Sequence, residues 1–455
     1  MSRIGRAGEP RTSAGVSYGD KAGQEALGRS AIRKATWRLI PVLGIGYGLA
    51  FMDRISVSFA ALRMNQDLHF SATIYGFGAG LFFIGNAMAE VPSNLLLLRF
   101  GAKRMMASIV FVWGLVATSM MFVRTPMEFY ALRLLLGVAE AGFYPGVLYY
   151  LTLWFPARVR ARAVSRFYIA LPLSSVVMGG LAGWLMGLDG RLGLAGWQWL
   201  FLVEGLPAVL FTFVILALLP DAPAHAAWLS AEERDWLSRQ LQRDGEQAHL
   251  GHDAGILAAL KSPRVWSIGL FFLFIGICAY GFSFSAPIIL KDATGWSVGQ
   301  VGWTIAVIGL IGAVAMLVNG AHSDRSGDRT LHCIIPCAIV AAGFLVASQT
   351  THPWLIIVAL AASSISLNAL WGPALSVPMA FLAGRAAAAG IAAMNTIAIF
   401  SGFFGPYWMG VMKDARGNYN AGLLGLMASA ILAAFVFFML MQNLARHPAA
   451  SRSAR

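Results

Sequence analysis

WRLIPVLGIGYGLAFMDRISVSFAAL, residues Trp37 to Leu62, decides how the chain is read. Its apolar residues run too continuously for an amphipathic surface helix, and the stretch exceeds the about 20 residues that a helix needs to cross a bilayer. Yet Asp53 and Arg54 stand side by side within it. A charge at the centre of a membrane helix costs about 2.5 to 3.5 kcal/mol on insertion scales, so these two need partners or a watery cavity.

The rest of the chain has the same character. Of its 455 residues, 58% are hydrophobic and only 12% charged, where soluble domains carry roughly a quarter charged residues. Further apolar runs bring the expected crossings to twelve, which predicts an all-α membrane protein. The net charge of +13 would suit a nucleic-acid binder, but the basic residues are unevenly placed. With both termini cytoplasmic, twenty-six Lys and Arg fall in the N-terminal tail, the even-numbered loops, the linker and the C-terminal tail, six fall in the odd-numbered loops, and Arg54 and Arg133 lie inside spans. That asymmetry is the positive-inside bias; it fixes the orientation and leaves no role for nucleic acid.

The organisation follows from the runs. Residues 1–36 form a cytoplasmic tail whose Gly, Ser, Ala and Arg content predicts disorder, and which lacks the apolar core of a cleavable signal peptide. Residues 37–219 and 264–443 each hold six spans, 220–263 is a cytoplasmic linker, and 444–455 is a second tail. At an offset of 226 the sequence echoes itself: Phe70 meets Trp296, Ser71 meets Ser297, Gly76 meets Gly302, Arg99 meets Arg325, Gly101 meets Gly327, and Lys103 meets Arg329. Two six-helix halves related by pseudo-twofold symmetry place a substrate site at their interface near the bilayer midplane. In the linker, Ser230 followed by Glu233 predicts a capping box opening a helix, read here as a solvated connector. No GxxxxGK[ST] segment occurs, which argues against transport driven directly by ATP.

The second intramembrane cluster is RLLLGVAEAGFYPG, in which Arg133 and Glu140 are seven residues apart and so near one helix face. Two acids and two bases are thereby expected to share one pocket. Adjacent helical residues point about 100° apart, so Asp53 and Arg54 each need a partner on another helix. Two readings stay open, a fixed salt-bridge lock and a working site. In a working site, burial favours a neutral carboxyl and a nearby guanidinium favours the ionised form. A substrate carboxylate that occupies the guanidinium then promotes proton uptake, which is symport by linkage.

Other polar groups are open in the same way. Asn86, Tyr280, Ser283, Asn368, Trp371 and Asn395 either bond to substrate or bridge helices. Glu90 and Glu204 either titrate or pack at helix ends. Cys333 and Cys337 lie four apart, and all eight histidines fall in tails, loops or helix ends; about four converging ligands are needed for a metal site, so the cysteines are read as structural and no metal or cofactor is expected beyond the coupling proton.

FMDRISVSFAAL, YGFGAGLFFIGNAMAEVPSNLLLLRFGAKR, LRLLLGVAEAGFYPGVLYYLTLWFPARVRARA, AGWQWLFLVEGLPAV and GAHSDRSGDR together resemble the anion:cation symporter family of the major facilitator superfamily. The resemblance implies proton-coupled uptake of a small organic anion by alternating access. It implies Asp53 and Glu140 as proton-coupling acids, Arg54 as a carboxylate contact, and Arg133 as a partner of the acidic network. The superfamily's gating motif is degenerate in its first copy, where Leu98 replaces the aspartate and Arg99, Gly101, Lys103 and Arg104 remain. Its second copy is better kept, through Asp324, Arg325, Gly327 and Arg329. Asn86 stands where a tyrosine is usual, and Ala398-Ile399 where Gly-Asn is usual, so the substrate pocket is altered.

The sequence thus points to a proton-driven importer of a hydroxy or sugar acid, a dicarboxylate or an aromatic acid. The protein is expected in a bacterial inner membrane as a functional monomer. An organic-phosphate antiporter is the alternative, but Asp53 and Arg54 map at the repeat offset onto Ala279 and Tyr280, so the second half offers no matching cation. Lipophilic-cation export fits the intramembrane arginines poorly. No nucleophile–base or metal constellation suggests an enzyme.

Overall fold

A computed structural model describes residues 18–249, 261–378 and 384–446. Eleven helical stretches in it are long and apolar enough to cross a membrane. The N-terminal half comprises α1 (Tyr18–Asp67), α2 (Ala72–Phe100), α3 (Ala102–Ser119), α4 (Pro126–Glu140), α5 (Phe143–Thr152), α6 (Ala157–Tyr168), α7 (Ala170–Met186) and α8 (Gly196–Leu218). The linker contributes α9 (Ala231–His249). The C-terminal half comprises α10 (Pro263–Thr294), α11 (Val298–Ser326), α12 (Thr330–Gln349), α13 (Pro353–Ala369), α14 (Trp371–Ser376), α15 (Gly384–Ile399), α16 (Ser401–Arg416) and α17 (Asn420–Arg446). The remaining expected crossing is built from α15 and α16, joined at Phe400, whose backbone stays helical at φ −63° and ψ −20°.

Each half has its own hydrophobic core. The repeat matches explain how the halves meet. Ser71 caps α2 by accepting from Ile74 N, and Ser297 caps α11 by accepting from Gln300 N. A Cβ at Gly76 would stand 2.3 Å from the Pro406 carbonyl oxygen of α16, and one at Gly302 2.2 Å from the Gly179 oxygen of α7. The two matched glycines therefore let α2 close on α16 and α11 close on α7, equivalent contacts across the pseudo-twofold axis. Gly101 and Gly327, also matched, end α2 and α11 with positive φ of 84° and 69°.

Two expectations need correction. Of the tail expected to be disordered, residues 1–17 lie outside the described residues, while α1 already begins at Tyr18. Ala31 and Ala35 are fully buried, because this extension packs against the linker. The linker is no solvated connector over its described part. The Ser230–Glu233 capping box forms as expected, but Glu233 also accepts from Ser30 Oγ at 2.7 Å and Lys34 Nζ at 2.8 Å, and Trp236 and Leu237 are buried. Burial alone would raise the Glu233 carboxyl, yet the bonds from Lys34, Ser230 and Ser30 hold it below its ordinary value. Linker residues 250–260 and tail residues 447–455 lie outside the described residues.

Candidate functional site

The site is assembled where α2, α4 and α1 meet. A Cβ at Gly137 of α4 would lie 1.9 Å from the Phe82 oxygen, and one at Gly85 of α2 would lie 2.2 Å from the Leu134 oxygen. Such reciprocal approach draws the backbones together and sets the α4 charges against Phe82. Arg133 and Arg54 both place their guanidinium carbons 5.1 Å from the centre of the fully buried Phe82 ring. The negative ring face attracts both cations.

Arg54 donates to Glu140 in an ion pair, so the α1 arginine finds its partner on α4. Glu140 is 4% exposed, Arg133 1% and Asp53 4%, whereas the Arg54 side chain keeps 24% of its surface. Arg133 Nη2 approaches the Ala79 carbonyl at 3.4 Å. Asp53 Oδ2 and Glu140 Oε2 are buried with no hydrogen-bond partner among the described residues. The four expected charges do converge, but among the described residues Asp53 makes no close ion pair, and Glu140 keeps an oxygen without a partner. This is a cluster with spare acceptor capacity rather than a closed set of bridges.

The expected hydrogen-bonding residues are placed unevenly. Tyr280, although carried by α10, packs on the N-terminal core, with its ring 4.6 Å from Phe83. Asn86 is half-buried on α2, and its backbone nitrogen would be 2.9 Å from a Gly137 Cβ, so it borders the cluster. Trp371 stacks on Phe272 at 5.8 Å within the other half, and Asn395 is exposed on α15; neither is linked to the charges by a contact among the described residues.

Sequence reasoning missed the aromatic frame. Phe82 is one such residue, and Tyr47, seven before Arg54 on the same face, is another. The Tyr47 ring stacks 5.5 Å from Tyr144 and 4.7 Å from Phe167, and the Tyr144 and Tyr168 hydroxyls bond to each other. The seven-residue and four-residue offsets from Arg54 and Glu140 were the available signal.

The two ends of the cleft differ. On the face away from the linker, Asp414 at the end of α16 accepts from Ala72 N at 3.1 Å and Thr73 N at 2.7 Å, while Tyr75 donates to the Phe284 carbonyl at 2.9 Å. These are the hydrogen bonds that join the halves among the described residues. A cleft of about 470 Å³ lies there, lined in part by Lys291, Asp292, Lys413 and Asp414.

On the linker face, the second gating copy is internally tied. Arg329 bonds to Asp324 at 2.6 Å and to Ser323 Oγ at 2.8 Å, while Arg325 is exposed. In the first copy, Arg99 lies over Phe100 at 5.7 Å, and Arg99, Lys103 and Arg104 form no ion pair among the described residues, because Leu98 supplies no acid. Cys333 and Cys337 are fully buried in the C-terminal core.

Comparison with known proteins agrees with this geometry. The Major Facilitator Superfamily profile matches residues 43–406. A protein of Agrobacterium vitis named "Putative tartrate transporter" is 43% identical over 410 residues, covering 90% of this chain and 94% of that one. The "Quinolone resistance transporter" of Acinetobacter baumannii is 39% identical over 395 residues, covering 87% and 91%. Among solved structures, a bacterial homologue of the human lysosomal transporter Spinster superposes with a TM-score of 0.77 at 18% identity, covering 91% of this chain and 98% of that one. The chain belongs to the major facilitator superfamily.

Proposed function

We propose that the protein is a proton-coupled symporter that imports a small organic carboxylate by alternating access. The observation that carries this reading is the Arg54–Glu140 pair, in which the cation is partly open and the acid is buried. A substrate carboxylate that takes the Arg54 guanidinium displaces Glu140, and a carboxylate left unpaired there is relieved by a proton. Anion and proton therefore enter together. Asp53 is the second acid of the same network, with Arg133 as the counter-charge that keeps the empty site balanced. Tyr280 and Asn86 border the anion from the two halves.

The hydrogen bonds at Ala72, Thr73 and Tyr75 support a state closed on the face away from the linker. The positive-inside bias makes the linker face cytoplasmic, so this is an inward-facing state in a bacterial inner membrane, and one chain holds the complete site. Arg99, Lys103, Arg104, Asp324, Arg325 and Arg329 would govern exchange between states. The tartrate relative supports hydroxy or sugar acids as the substrate class.

A second reading, proton-driven export of an aromatic acid drug, is favoured by the quinolone-resistance relative, since a quinolone also carries a carboxylate. A thermal-shift screen of the purified protein against L-tartrate, galactonate, phthalate, nicotinate, norfloxacin and glucose 6-phosphate separates these. Stabilisation by a non-drug carboxylate, lost in Arg54→Ala, is expected. Stabilisation by the sugar phosphate alone would sink the carboxylate assignment, and by norfloxacin alone the import reading.

A further inference from the structure

Glu204 of α8 is a buried acid that the coupling scheme above leaves unused. It is 6% exposed, and neither carboxylate oxygen has a hydrogen-bond partner among the described residues. On α1, Ser56 comes within reach of its carboxyl, and Asp53 acts on it through space. The other helices packed on α8 bring no charge to this level, since α7 has no charged residue and those of α3 are Lys103 and Arg104 at its opposite end. Helix-end packing alone does not call for an acid here. An unpaired carboxylate is costly in such surroundings, whereas the neutral acid is tolerated.

Depth gives the arrangement its direction. Trp197 Nε1 donates to Asp67 Oδ2 at 3.0 Å, which aligns the ends of α8 and α1 at the face away from the linker. Counted inward from that bond at 1.5 Å per residue, Glu204 is about 10 Å deep, Ser56 about 16 Å and Asp53 about 21 Å. Ser56 is fully buried, and its hydroxyl donates to the Asp53 carbonyl at 2.9 Å. Gln198 Nε2, bonded to the Met121 carbonyl at 2.7 Å, places the end of α3 at the same face. From there the buried Trp113 Nε1, also without a partner among the described residues, is about 12 Å deep. Glu204, Trp113, Ser56 and Asp53 thus lie at increasing depth from that face within the N-terminal half, and of these Glu204, Trp113 Nε1 and Asp53 Oδ2 have no partner among the described residues.

We infer that Glu204 is the proton-loading group of the transporter and that it supplies Asp53 through Ser56, by a route separate from the substrate cleft. The inference rests on the symport reading above. In the step, neutral Glu204 gives its proton to the Ser56 oxygen as the Ser56 hydroxyl proton passes to the Asp53 carboxylate. Glu204 is left ionised, Asp53 neutral and Ser56 unchanged. Water at the outer face then returns a proton to Glu204. The transfer requires Ser56 to turn from the Asp53 carbonyl to bridge the two acids.

The test is Glu204→Gln, which keeps the shape of a protonated glutamate and cannot release a proton. In proteoliposomes, accumulation of L-tartrate driven by an imposed pH gradient is expected to fall at least about tenfold. Exchange of L-tartrate at equal pH should persist. Infrared difference spectra between mildly acidic and mildly alkaline pH, which need no substrate, should lose a protonated-carboxyl band relative to the parent protein. Glu204→Asp should recover part of both signals with an altered pH profile.

If Glu204→Gln fails to fold, Ser56→Ala carries the same test, because it removes the bridging hydroxyl with little change in volume. An unchanged infrared spectrum and unchanged accumulation in Glu204→Gln would overturn the inference, since the acid would then be permanently neutral. Asp53→Asn keeps the two failures apart. If it abolishes accumulation while Glu204→Gln does not, symport stands and the relay falls; if both variants accumulate normally, symport itself is wrong.

Discussion

Replacing both members of the Arg54–Glu140 pair separates a structural lock from a working site. Glu140→Ala leaves the guanidinium without its partner, and breaking a buried pair on one side costs about 3 to 5 kcal/mol. Arg54 retains 24% of its side-chain surface, so solvent from the cleft relieves part of this and places the loss near the lower end. Glu140→Gln keeps an acceptor but turns a charge-assisted bond into a neutral one. Such bonds contribute about 1.5 to 3 and 0.5 to 1.5 kcal/mol respectively, so the expected loss is about 1 to 2 kcal/mol.

Arg54→Met with Glu140→Met removes both charges at similar volume, and such exchanges are neutral or stabilising by about 1 to 4 kcal/mol. The remaining Asp53 and Arg133 still balance. The assay is SDS unfolding in mixed micelles, paired with L-tartrate uptake in proteoliposomes. The expected order of stability is the double variant at or above the parent, then Glu140→Gln, then Glu140→Ala, with uptake lost in all three. A double variant that still transports would show that the pair only braces the bundle. A double variant as unstable as Glu140→Ala would refute the energetic reasoning.

Other perturbations test the framework. Gly137→Ala would drive a methyl to 1.9 Å from the Phe82 oxygen, so α2 and α4 must separate; overpacking of this kind costs about 1 to 3 kcal/mol, and reduced thermal stability with weakened substrate binding is expected. Asp414→Ala removes the acceptor of Ala72 N and Thr73 N, so the thiol of Leu62→Cys, buried beside that cleft, should react several-fold faster with an impermeant maleimide added on the face away from the linker; an unchanged rate would show that this latch does not hold that face closed. Because the folded Glu233 carboxyl is held below its ordinary value, its contribution to linker docking is complete above the unfolded value of about 4.3 and fades as pH falls through the lower folded value. Proteolysis of the linker should therefore stay slow at neutral pH and accelerate under acid, whereas Glu233→Gln should be cut faster already at neutral pH.

The fold was legible because its determinants repeat. Apolar runs and basic asymmetry mark the crossings, and the matches of Ser71 with Ser297 and Gly76 with Gly302 mark the caps and inter-half contacts that the structure displays. The convergence of Arg54 with Glu140 could be anticipated from the expense of buried charge and the seven-residue spacing. The shared ring was hidden, because an apolar run such as GLFFIG does not distinguish a phenylalanine facing lipid from Phe82, which faces two guanidiniums. The docked linker was hidden too. Polar Ser30 and Lys34 look solvated until Glu233, about two hundred positions away, is brought to them by the fold.

The most direct measurement is proton movement itself. With a pH-sensitive dye inside proteoliposomes at equal pH, adding L-tartrate outside should acidify the lumen, and the signal should vanish in Asp53→Asn and Glu140→Gln. L-tartrate uptake by the parent protein without lumenal acidification would contradict the account.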